Sequence, residues 1–136
     1  MLKHIVLLCL LGTIATSNLA SAHVTAESLE GYWGGDQLQL VIDATHAYIE
    51  MDCASGTIIL PLQLKKNRSF QALGTFMQHQ TGGPQRADEA LAPDAARYAG
   101  QVKGETMRLT ILPSGAQKPQ EFKLQKGVRV KLIRCL

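Results

Sequence analysis

The residues able to do chemistry in this sequence are few and fall into three sets. The first is a possible copper site. If the chain begins at His23 once a leader is removed, that residue offers an α-amine and an imidazole together. Nitrogen donors of this kind suit Cu(II). His46 or His79 would supply the further imidazole, and the plainer reading is a histidine at a loose terminus. The second set is His79, Gly82, Gly83 and Arg86, with Arg97 and Tyr98 opening the next strand. Glycine N–H groups and a guanidinium can together meet an anionic group on a ligand. Here the plainer reading is a glycine-proline turn with solvated charges. The third set is the cysteine pair Cys53 and Cys135.

No nucleophile beside its base, phosphate-cradling glycine loop or zinc-ligand spacing occurs. Asp88, Glu89 and Asp94 are too sparse for calcium, which needs a dense cluster of oxygens. The expectation is therefore a non-enzymatic protein with no cofactor.

The compartment follows from the first 22 residues. Lys3 supplies a basic start, and residues 5–11 form an apolar run too short to span a bilayer. Ala20-Ser21-Ala22 has the small-x-small form of a signal-peptidase site, which places cleavage before His23. Asn18-Leu19-Ala20 is the alternative. The expected organisation is a signal peptide over 1–22 and one domain over 23–136, in the periplasm or secreted. No membrane span remains after cleavage. A domain of this length buries one core, not two. The two cysteines left after the leader are an even count in an exported chain, which favours a disulfide over a metal or catalytic site.

Charge is uneven along the chain. Acidic residues gather early (Glu27, Glu30, Asp36, Asp43, Glu50, Asp52), and basic ones dominate from Arg97 to Arg134. One reading is a basic face for an anionic partner. The preferred one is that the first and last strands lie side by side with complementary outward charges. Nucleic acid is not an expected partner; a small molecule or an envelope protein is.

The elements that must position these residues are strands. Leu38, Leu40 and Ile42 alternate with Gln37, Gln39 and Val41, the period-2 signature of a strand with one buried face. Similar runs follow at 48–53, at 57–64 (interrupted by Pro61) and at 69–79. A long non-strand stretch, 80–94, precedes runs at 96–103, 105–112, 122–125 and 128–134. About eight strands joined by tight turns predict an all-β antiparallel up-and-down barrel, since closure removes the two exposed edges. On such a barrel Cys53 and Cys135 would sit two strands apart, about 10 Å, too far to bond unless the chain bends off the sheet at their strand ends.

Gly31-Tyr32-Trp33 resembles the Gly-x-Trp signature of lipocalins and related calycins. That resemblance implies a tryptophan capping one end of the barrel, with an arginine near the chain end packed over it. Arg134, or failing it Arg129, is the matching residue. Trp33-Gly34-Gly35, Asp52-Cys53-Ala54-x-Gly56-x-Ile58, Gly82-Gly83-Pro84, Arg97-Tyr98-x-Gly100 and Gly104-x-x-Met107 together resemble a set of small exported bacterial β-barrel proteins. This second resemblance implies the leader, the barrel and the disulfide, and no chemistry.

The leading functional expectation is a small-ligand carrier or sensor of the calycin kind. The alternative is a protein-binding module, such as an inhibitor of an envelope hydrolase; copper binding through His23 comes third. Interior volume separates the first two. The inward faces mix Leu, Ile, Val, Met and Phe with few polar groups, which favours a filled or narrow interior.

Overall fold

The alternating apolar residues build eight strands in the computed structural model, which describes residues 29–79, 92–133 and 135. They are β1 (Gly31–Gly35), β2 (Leu38–Ile42), β3 (Ala47–Met51), β4 (Ala54–Ile58), β5 (Ser69–Gln78), β6 (Asp94–Lys103), β7 (Thr106–Pro113) and β8 (Gln120–Lys126). Each pairs antiparallel with the next, and β8 returns to β1, closing an up-and-down barrel. The expected fold class is thus the observed one.

Three of the differences from the expected strands have a clear local reason. The glycine-flanked Trp33 does not merely stand at the mouth of the first strand; it lies within β1, a strand of its own. Asp36 and Gln37 then turn the chain back with φ of 49° and 61°. Two successive positive φ values match the right-handed twist of a tight hairpin. The Asp36 carboxylate accepts the Lys123 N–H of β8 at 2.7 Å, fixing this turn to the last strand. The run at 57–64 pairs only as far as Ile58 in β4; Pro61, with no N–H to donate, follows a cis Leu60–Pro61 bond in irregular chain. The run at 128–134 is not a strand. The edge it would have extended is occupied, because β8 is already paired with β7 and β1.

Gly127, at φ 79°, instead turns the tail out of the sheet. The tail forms a strap that climbs the outer wall across β1, β2 and β3. Gly127 donates to the Tyr32 carbonyl at 2.7 Å. Next, the Gln39 amide grips the strap from both ends: Oε1 accepts the Val130 N–H at 2.8 Å, and Nε2 donates to the Val128 carbonyl at 3.3 Å. Higher still, the Ile133 N–H donates to Asp52 Oδ1 at 2.7 Å and the Cys135 N–H to the Asp52 carbonyl at 3.2 Å. Cys135 then bonds Cys53, with their Cα atoms 5.3 Å apart. The bend off the sheet that the disulfide required is this strap. Gly34 is where it passes closest: a Cβ there would lie 2.4 Å from the Val128 carbonyl oxygen, so no larger residue fits beneath the strap as it lies.

The inward row carries the core. Trp33, Leu38, Leu40, Ile49, Phe70, Tyr98, Met107, Leu109 and Ile111 are all fully buried. Burial of a large apolar side chain contributes about 1.5–3 kcal/mol, so these few residues dominate the stabilisation. The Trp33 indole N–H donates to the Leu29 carbonyl at 2.8 Å, which satisfies its one polar atom. Residues facing outward include Glu50, Thr57, Gln71, Gln101, Arg108, Lys123 and Gln125, all exposed. This polarity, apolar within and polar without, is the reverse of a membrane barrel's. Among the described residues no helix is long and apolar enough to cross a membrane.

Two expected outcomes test the strap. Replacing Cys53 and Cys135 together by Ser opens a link across 82 residues of sequence, and should lower the unfolding free energy by about 4–5 kcal/mol in urea titrations. Gln39→Ala leaves the Val130 N–H and Val128 carbonyl without their amide partner and should cost about 1–3 kcal/mol in the same assay.

Candidate functional site

The sequence-based anion site divides once the chain is folded. Gly82, Gly83 and Arg86 lie outside the described residues. Arg97 and Tyr98 are neighbours on β6, and neighbours on a strand face opposite ways. The Tyr98 side chain points into the barrel, 1% exposed, while Arg97 stands on the outer wall. Their side chains therefore leave the strand on opposite faces, although both residues border the groove on the β5–β7 wall. His79 follows β5 and is exposed. It lies six residues along from Leu73, the cross-strand partner of Arg97, about 20 Å at the strand rise. Tyr98 does structural work instead. Its hydroxyl donates to the Thr75 carbonyl at 2.6 Å, and its ring and hydroxyl occupy the space in front of Gly56 and Gly74. Burial pushes its phenol up from the usual 10.0 to about 12.

The proposed copper ligands also separate. His23 lies outside the described residues. His46 sits in the β2–β3 turn and His79 beyond the far end of β5, so strand alternation puts them at opposite ends of the barrel. The two therefore cannot share an ion. His46 is held by its own turn: the Asp43 carboxylate accepts the Thr45 N–H, the Thr45 hydroxyl and the His46 N–H at 2.7–2.9 Å. The Thr45 N–H foremost, with its hydroxyl and the His46 N–H, holds the Asp43 carboxyl below its usual value. Among the described residues no cluster of three His, Cys, Asp or Glu side chains could hold a metal.

The residues around Trp33 pack differently from the expected arginine over its ring. Trp33 is buried at the β1–β8 seam, and Gly31, at φ 122°, holds a backbone conformation that suits glycine. The cation over its indole is Lys126, with Nζ 5.5 Å from the ring centroid. Arg129 stacks instead over Tyr32, at 3.9 Å, because the strap has already left the sheet and follows the outward side chain of β1. Arg134 lies outside the described residues. The close packing of a last-strand cation on a first-strand aromatic is a form of seam complementarity that counting charges does not reveal.

Two of the surface grooves bear on function. One, about 600 Å³, runs between the strap and the outer wall of β2–β4 and is lined by Gln39, Glu50, Ser55, His79, Val130 and Leu132. In it the Ser55 hydroxyl and His79 Nε2 are 3.1 Å apart. Sequence reading missed this pair, because only the β4–β5 register brings residues 24 apart together. Among the described residues no carboxylate orients the other imidazole nitrogen, so the pair lacks the third member of a hydrolytic triad. The second groove, about 510 Å³, lies on the outer wall of β5–β7 around Leu73, Arg97, Ala99, Leu112 and Pro119. Neither a protein-family model nor a curated protein nor a solved structure matches this chain.

The Tyr98 phenol gives a pH test. Its pKa is raised on folding, so the stabilisation is present in full below pH 10 and is lost as pH climbs towards about 12. Stability measured by urea titration should fall over that window, and Tyr98→Phe should flatten the fall while costing about 1 kcal/mol at neutral pH.

Proposed function

We propose that this protein is an exported, non-enzymatic binding module that engages another protein of the cell envelope through its outer wall. The observation that carries this reading over a small-ligand carrier is the filled interior. Phe70, Tyr98 and Trp33 are buried in the lumen, and glycines whose missing side chains make the room face Phe70 and Tyr98. A Cβ on Gly100 would lie 2.1 Å from the Phe70 ring, and one on Gly56 would lie 2.2 Å from the Tyr98 hydroxyl. Space of this kind is used to pack the protein's own rings, whereas a carrier keeps it for cargo. Export is supported by the leader-like first 22 residues and by the disulfide, a bond that persists in oxidising compartments.

Native mass spectrometry on protein purified from a periplasm tests the choice. The expected spectrum is that of the bare polypeptide, two hydrogens lighter than its reduced form. Addition of a fluorescent fatty acid should leave Trp33 emission unchanged. A retained organic mass, or saturable quenching of Trp33, would restore the carrier and overturn the module.

A further inference from the structure

The outer wall of β5–β7 carries an apolar patch around a cation. On β5 and β7, Leu73 and Leu112 are the cross-strand partners of Arg97, one on each side of it. Ile59 is drawn beside Leu73 by its N–H, which donates to the Leu73 carbonyl at 2.8 Å. Ala99 is the next outward residue on β6, and Pro119 completes the groove. Leu73 and Ile59 are 61% and 63% exposed; among the described residues only Ile133 of the strap, at 72%, is a more exposed large aliphatic. Contiguous apolar groups on an otherwise polar surface mark contact sites, and an arginine set among them is the common anchor of protein interfaces. Arg97 has no carboxylate partner among the described residues, whereas Arg108, outward on the next strand, is paired with Glu121 at 3.1 Å.

We propose that the β5–β7 wall around Arg97 is a docking face for a partner protein that brings an Asp or Glu carboxylate flanked by apolar side chains. This rests on the binding-module reading and specifies its face and its partner's chemistry. The carboxylate is required by the setting. Covering Leu73 and Leu112 strips water from the cation between them, and a buried unpaired guanidinium would cost more than the apolar contact returns. Mode of contact follows from the topology. Strands β5, β6 and β7 are paired on both sides, so no backbone edge is free and the partner meets side chains alone. The shallow groove on a sheet wall suits the surface of a protein better than an enclosed small molecule.

The test is an amide chemical-shift titration of the full mature chain with two acetylated twelve-residue peptides. One places a central Glu between two Leu residues, and the other carries Lys in place of that Glu. The expected result is that the Glu peptide shifts the amides of Leu73, Arg97 and Leu112, and the Lys peptide binds about tenfold more weakly. Arg97→Glu, an exposed outward change whose folding is checked by its thermal melt, should reverse that preference. Leu73→Ser should weaken both peptides. Equal binding of the two peptides, a preference unchanged in Arg97→Glu, or no shift at these amides overturns the docking face. Shifts confined to the groove of Glu50 and His79 also overturn it while leaving the binding-module reading intact. A retained organic mass in the native spectrum defeats that reading itself.

Discussion

Closure of the sheet between β1 and β8 is the constraint on which the remaining structure depends, and it is made at the shortest ladder of the barrel. Only Trp33 with Lys126 and Gly34 with Gln125 face each other across it, against eight residue pairs between β5 and β6. A seam of two pairs is a weak point at which a barrel would open into a sheet with two exposed edges. Contacts on both sides of it reinforce that seam. Lys126 sits over the indole of Trp33, Arg129 over the ring of Tyr32, and the Asp36 carboxylate reaches from the β1–β2 turn to the β8 backbone.

The strap carries the same reinforcement across three strands. It leaves β8 at the seam, is gripped by Gln39 on β2 and by Asp52 beyond β3, and is bonded to Cys53. Gln39 is the one buried polar side chain of the barrel as described, and its amide supplies both a donor and an acceptor to the strap. An unsatisfied amide there would be costly, so burial and bonding of Gln39 stand or fall together. The disulfide is thus more than a link between loops: it holds down the far end of the strap whose near end braces the seam.

Filling the lumen transfers the functional question to the wall. Inward glycines on β4, β5 and β6 give their space to Tyr98 and Phe70, so the interior is spent on packing. The outward row carries the surface grooves, and two of them differ in kind. The strap groove mixes polar residues with Val130 and Leu132 and holds the Ser55–His79 contact, whereas the β5–β7 groove sets a cation between aliphatic side chains.

Much of this was legible in the residues alone. Alternation at period two specifies strands wherever one face is buried, because each inward residue is chosen by the same solvent-free environment. The up-and-down order and the cysteine pairing follow from that alternation, the tight turns and the even cysteine count, whereas the expected count of eight includes the run at 128–134 in place of β1. What the pattern could not decide was what lies across from what. Val128, Val130 and Leu132 alternate as a strand should, yet form a strap, because the edge they would have joined was already taken by β1. Arg97 and Tyr98 read as one site in sequence and stand on opposite faces of one strand. His46 and His79 are separated by the length of the barrel, while Ser55 and His79 meet. Local periodicity is written in neighbouring residues. Register, closure and the path of the tail are decided only when distant strands compete for the same hydrogen-bonding edges.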